Sequence, residues 1–215
     1  ISNLTMPRQV AMVTSVGSPS DIELAGSYLY LADPSYGLRI YSVSNPSNPV
    51  LVGQLNTSGV VDVAINGSYA YLAARSAGLR IVDISNPAAP VAVSSHDTPG
   101  DARQVAISGH MVYTADTNQV VAINAANPGA LSEAGRYHTL VNAKDMAVKG
   151  RYVYVGDSSL GLRVFDISLP ANAIEIGKPI GPGYTTDLVV SDDYLYVAYT
   201  TSIQPDGTIG GLRVF

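Results

Sequence analysis

Two phrases that return about every 41 or 42 residues, with no helical period between them, predict an all-β fold. The specific expectation is a five-bladed β-propeller with four antiparallel strands per blade, forming a single domain over residues 1–215. The first phrase is GLRIVDISNPAAP at Gly78–Pro90. It recurs as GLRIYSVSNPSNP from Gly37, as GLRVFDISLP from Gly161, in worn form as QVVAINAANP from Gln119, and truncated at Gly211–Phe215. These starts lie 41, 41, 42 and 50 residues apart. The second phrase, GSYLY at Gly26–Tyr30, has counterparts ending at Tyr71, Tyr113, Tyr154 and Tyr196, spaced 41, 42, 41 and 42.

Each unit divides into four short strands, and the second unit shows how. Val60–Ile65 is the first strand, and Asn66-Gly67 between apolar runs is a two-residue hairpin signal. Tyr69–Ala73 is the second strand, closed by the turn Ser76-Ala77-Gly78. Leu79–Ile84 alternates apolar residues with Arg80 and Asp83, as a third strand would. Two prolines fix the loop Ser85–Pro90, Val91–Ser95 is the fourth strand, and Pro99-Gly100 leads into the next unit.

The termini fall in register with the repeat. Ile1–Pro7 aligns with Ile84–Pro90, and Phe215 aligns with Val82. This predicts a ring closed by the N-terminal segment, with Arg8–Thr14 as the fourth strand of the last blade, which would hide two open sheet edges. The alternative is a five-blade excerpt of a larger ring.

Composition narrows the function classes. Charged residues make up 13% of the chain, about half the usual share, and the net charge is −5 with no basic run. This argues against nucleic acid and against an anionic membrane surface. With no cysteine, disulfides and thiolate metal sites are excluded. No apolar run is long enough for a membrane-spanning helix. The opening ISNLTMPRQV lacks the basic start and apolar core of a signal peptide, as a mature or trimmed end would. A surface low in Lys and rich in Ser, Thr and Asn suggests an extracellular or cell-surface protein.

The phrases GLRIVDISNP, VDVAINGSYAYLA and GLRVFDIS resemble the LVIVD repeat, found in β-propeller regions of bacterial and archaeal surface or exported proteins. The resemblance covers all five units. The third departs most, with Gln119-Val-Val in place of Gly-Leu-Arg and Asn124 where Asp83 and Asp166 stand. It implies a propeller fold and carries no catalytic signature.

Residues in every blade serve the blade; residues in one blade are where an asymmetric site could lie. Counting five back from each hairpin Gly, or from Asp192, gives Asp21, Asp62, Gln104, Asp145 and Asp187. Each falls in a first strand, so together they would line the central channel. Such a ring could raise its own pKa values, hold a cation or bind hydroxyl-rich ligands. The plainer reading, favoured by repetition, is that each accepts backbone N–H bonds from the neighbouring blade. The repeated Arg39, Arg80, Arg163 and Arg213 read as interblade bonds to a carboxylate or a carbonyl, with the stem packed on a tyrosine, and hairpin-strand tyrosines such as Tyr69 and Tyr71 read as blade-on-blade packing. The residues that break the repeat are His96, Asp101, Arg103, His138 and Lys144, which would share the loops of one face, and an insertion around Pro205–Gly207. No nucleophile elbow, phosphate loop or metal-ligand spacing is present, so no catalytic residue, metal or cofactor is expected. The reading this favours is a non-enzymatic scaffold that recognises a protein, peptide or glycan through one face. A carbohydrate hydrolase using Asp62, Asp145 and Asp187, and a structural spacer of a larger exported protein, are the alternatives.

Overall fold

A computed structural model describes residues 6, 8–14, 17–139, 143–157, 161–177, 184–201 and 209–215, the side chains of Lys144, Thr201 and Ile209 aside. The insertion around Pro205–Gly207 lies outside the described residues. Nineteen strands are described, in five antiparallel sheets that follow one another along the chain. Sheet 1 holds β1 (Asp21–Ala25), β2 (Tyr28–Asp33), β3 (Gly37–Ser42) and β4 (Val50–Leu55). Sheet 2 holds β5 (Asp62–Asn66), β6 (Tyr69–Ala73), β7 (Leu79–Asp83) and β8 (Val91–His96). Sheet 3 holds β9 (Ala102–Ser108), β10 (Met111–Asp116), β11 (Gln119–Asn124) and β12 (Ser132–His138). Sheet 4 holds β13 (Ala143–Lys149), β14 (Tyr152–Asp157), β15 (Gly161–Asp166) and β16 (Ile174–Gly177), with a single 3-10 turn at Pro170–Asn172. Sheet 5 holds β17 (Tyr184–Ser191), β18 (Tyr194–Thr201) and β19 (Ile209–Val214). Among the described residues no helix is long and apolar enough to cross a membrane.

The five units are therefore five blades in a propeller arrangement. The inner hairpins turn where the sequence places them. Gly26, Gly67, Gly109 and Gly150 take φ near +60°, and Asp192 takes 49° at the same place in the last blade. A bulge recurs where each outer strand meets its neighbour, at Ile40/Tyr41, Ile81/Val82, Ala122/Ile123 and Val164/Phe165. It adds local twist at the rim of each sheet.

The core lies between sheets rather than within them. Tyr30, Leu38 and Ile40 of sheet 1 are buried against Val63, Leu72 and Val82 of sheet 2. The same positions, Tyr71, Leu79 and Ile81, are buried against Val105, Val112 and Val121 of sheet 3. Each sheet thus needs a neighbour on both flanks to cover its apolar faces. At two junctions the loop after the third strand is bonded by the preceding blade's outer strand: Ser94 Oγ donates to the Pro128 carbonyl, and Tyr137 Oη donates to the Pro170 carbonyl at 2.6 Å.

The expected closure by the N-terminal segment is not seen. Arg8–Thr14 forms no strand, and sheet 5 has three strands, its β19 edge carrying no fourth among the described residues. Val13 instead borders a cavity on the outward face of sheet 1, lined also by Pro19, Leu29, Leu31, Tyr41, Val43 and Pro49. Reaching that face closes a short loop, whereas reaching β19 closes one of the whole chain, which costs about 2 kcal/mol more in chain entropy.

Candidate functional site

The five first strands bring Asp21, Asp62, Gln104, Asp145 and Asp187 to one axial cavity of about 550 Å³. Their side chains are engaged in a repeated bond to backbone. Asp21 Oδ2 accepts the Val63 N–H at 3.0 Å, and Asp62 Oδ2 accepts the Val105 N–H at 2.7 Å. Gln104 Oε1 accepts the Met146 N–H at 3.3 Å, and Asp145 Oδ2 accepts the Leu188 N–H at 2.5 Å. Every clasp runs from one blade to the next. Gln104 serves in the series because an amide oxygen accepts as a carboxylate does.

The ring is electrostatically costly. Burial, followed by the charge of Asp21, pushes Asp62 up to about 8. Burial and a hydrogen bond shared with Asp187 push Asp145 up to about 7. Carboxyls drawn together out of water favour the protonated form. Among the described residues no group of three or more His, Asp or Glu side chains is placed to hold a metal ion.

The residues that break the repeat do not form one cluster. Asp101 and Arg103 share a cavity of about 280 Å³ with Ser20, Val61 and Arg75, beside the axial opening. Arg103 Nη2 lies 3.7 Å from Asp101 Oδ2, and both side chains are exposed. Arg75 is held over this cavity by a left-handed turn, with φ 47°. Its N–H donates to the Ala102 carbonyl at 2.9 Å, and its carbonyl accepts the Ala102 N–H at 3.0 Å. His96 and His138 lie elsewhere, as the last residues of the outer strands β8 and β12. His96 Nε2 stands 3.6 Å from Glu133 Oε2, too long for a hydrogen bond. Lys144 falls in β13, and its side chain is not among those described. The sequence reading missed Arg75, although the signal was there: Arg75 occupies the turn position that holds Pro34 and Thr117 in other blades.

The repeated arginines divide. Arg163 is buried and forms a two-pronged bond to Glu175, at 2.8 Å from Nε and 2.6 Å from Nη2. Arg39 and Arg213 lie over the rings of Tyr36 and Tyr199, at 4.5 and 3.9 Å from their centroids. A cavity of about 580 Å³ opens between sheets 4 and 5 beside Tyr152, Tyr154, Tyr194 and Phe215.

The LVIVD repeat matches five times, at residues 16–57, 59–98, 99–139, 142–178 and 182–202, one match per blade. The chain belongs to the LVIVD repeat family. No curated protein matches this LVIVD chain. Among solved structures it is similar to a functionally unknown protein from Desulfotomaculum acetoxidans DSM 771, with TM-score 0.74 and 16% identity, over 97% of this chain and 73% of that one. It is also similar to the computationally designed Ika8 protein, with TM-score 0.65 and 11% identity over 83% of this chain, and it spans 54% of Ika8. A third likeness is to the N-terminal domain of Nup159, with TM-score 0.60 and 11% identity, over 92% of this chain and 58% of that one. At these identities the likeness concerns the fold alone.

Proposed function

We propose that this LVIVD propeller is a non-enzymatic binding and scaffold domain of the cell surface or extracellular space. It recognises a protein, peptide or glycan through the face that carries Arg75, Asp101 and Arg103. The observation that supports this most is the use of the axial side chains: four of the five clasp the neighbouring blade's backbone. A group committed to a backbone N–H is poorly free to shuttle protons. The loop face has the opposite character, with three charged side chains around a cavity and none of them repeated in the other blades. Rigid strands that hold variable loops on one plane suit recognition. The test is a glycan-array and peptide-display screen of wild type beside Arg75→Ala/Arg103→Ala. Binding that the double substitution abolishes supports the reading; hits that are all indifferent to it sink it.

One observation favours a second reading. Asp62 and Asp145 titrate near neutrality, as a general acid must, and paired carboxylates hydrolyse glycosides. Turnover of aryl glycosides by wild type, lost in Asp145→Asn, would replace the binding-only reading.

A further inference from the structure

The turn that holds Arg75 differs from its counterparts in the kind of group it presents. In blade one the turn carboxylate Asp33 accepts the N–H groups of Ser35 and Tyr36 at 2.8 and 3.1 Å. In blade three Asp116 Oδ2 accepts the Gly100 N–H at 2.9 Å, and Thr117 Oγ1 accepts the Asp101 N–H at 3.0 Å. Blade two has Ala74 and Arg75 at these two positions, so acceptors give way to a side chain that can only donate. Thr117 shares the left-handed conformation, with φ 46° against 47° for Arg75, so the strain belongs to the turn and the guanidinium is what sets blade two apart. The Arg75 main chain is fully engaged: besides the Ala102 pair, its carbonyl accepts the Gly78 N–H at 2.9 Å. Its side chain is exposed and, among the described residues, has no hydrogen-bond or ion-pair partner.

Charge and lining narrow what this group can hold. Two guanidiniums, Arg75 and Arg103, border the cavity against one carboxylate, Asp101, in a chain of net charge −5. Asp101 and Arg103 are both exposed, and pairs of that kind hold each other weakly. Burial, followed by the charge of Asp21, keeps the proton on Asp62 up to about pH 8, which lowers the negative charge next to Ser20 and Val61 in the chain. A guanidinium fork matches a carboxylate through two parallel bonds. The surplus of one positive charge suits a single carboxylate, and Asp101 opposes a doubly charged phosphoryl group. No aromatic side chain lines the cavity, so it lacks a platform on which a sugar ring would stack. We propose that this cavity binds the side-chain carboxylate of an acidic peptide between Arg75 and Arg103. The inference rests on the loop-face reading and narrows its partner to a segment bearing Glu or Asp.

NMR of the arginine Nε–H groups at physiological salt tests it. The probes are an acetylated and amidated peptide of alternating Gly and Glu, the same peptide with Gln for Glu, galacturonate, and inorganic phosphate. The Glu peptide is expected to shift the Arg75 and Arg103 signals saturably, and the Gln peptide to bind about tenfold more weakly. Arg75→Asn suits the left-handed turn and removes the charge, so it should weaken the Glu peptide by about the same factor. Arg75→Lys keeps the charge without the fork and should recover only part of the loss. Circular dichroism checks folding, and Arg103→Gln replaces any variant that fails it. No saturable shift, equal binding of the Gln peptide, indifference to the substitutions, or tighter binding of galacturonate or phosphate would each overturn the proposal. Arginine-dependent hits in the wider screen that carry no peptide carboxylate would sink this inference and leave the loop-face reading standing. Hits indifferent to both arginines would sink the two together.

Discussion

The Asp62 carboxylate of the second blade accepts the Val105 backbone N–H of the third at 2.7 Å. That bond lies beside an apolar interface and adds to the other polar links between the two blades, the Arg75–Ala102 backbone pair and the bond from Ser94 to the Pro128 carbonyl. Asp62 also titrates well above an ordinary carboxylate, so the bond carries a pH dependence.

Stability should fall as pH rises from about 4 to about 8. Asp62 and Asp145 have folded pKa values raised to about 8 and about 7, above the ordinary value of 3.8, so the folded state binds more protons in that window. Their favourable contribution is complete below pH 4 and is lost as pH passes through the folded values. Asp62→Asn keeps an oxygen for Val105 and removes the charge. It should raise the thermal midpoint at pH 8.5 by several degrees and change little at pH 4.5; melting curves at the two pH values check this.

Removing an acceptor altogether should have the opposite sign at every pH. Asp145→Leu leaves the Leu188 N–H without its partner in a buried place and takes from the Met146 N–H the nearer of its two acceptors, leaving it Gln104 Oε1 at 3.3 Å. A loss of about 1–3 kcal/mol is expected in urea denaturation, against a much smaller effect for Asp145→Asn.

The two kinds of glycine should respond differently to a side chain. Gly78 has φ +69°, and a Cβ there would meet the His96 carbonyl oxygen at 2.3 Å. Gly78→Ala should cost about 2–4 kcal/mol. Gly67 has φ +59° with open space around it, and Asp192 already takes this conformation in blade five. Gly67→Asn should stay within about 1 kcal/mol of wild type. Denaturation midpoints of the two variants decide it.

Glu175 should act at the acid end. The Arg163 guanidinium beside it holds its carboxyl below the usual range, so the pair stabilises above the ordinary value of 4.5 and fades as pH falls through the lower folded value. Glu175→Gln should lower stability at pH 7 by about 0.5–1 kcal/mol, the Glu175 side chain being partly screened by water, and be nearly silent well below pH 4, as urea titrations at both would reveal.

The five blades were legible because Tyr30 and its four successors mark the same point in each unit, and register follows from that spacing. The axial ring was legible by counting, since Asp21, Asp62, Gln104, Asp145 and Asp187 hold one position. Their partners are backbone amides, which leave no trace in side-chain identity; that each would clasp its neighbour followed only from repetition. The grouping of His96 and His138 with Arg103 failed for a geometric reason. Both histidines end outer strands, across the sheet from the inner strand β9 that holds Arg103. The strand expected at Arg8–Thr14 failed because alignment supplies a register without supplying a route. Val13 found apolar cover on sheet 1 close by in the chain.

Because each axial clasp is received by a main-chain amide, the receiving blade needs no particular residue to be recognised. Duplication, loss or exchange of a whole unit would preserve the joint, leaving natural drift, or a protein engineer, free to rewrite the rest of a blade.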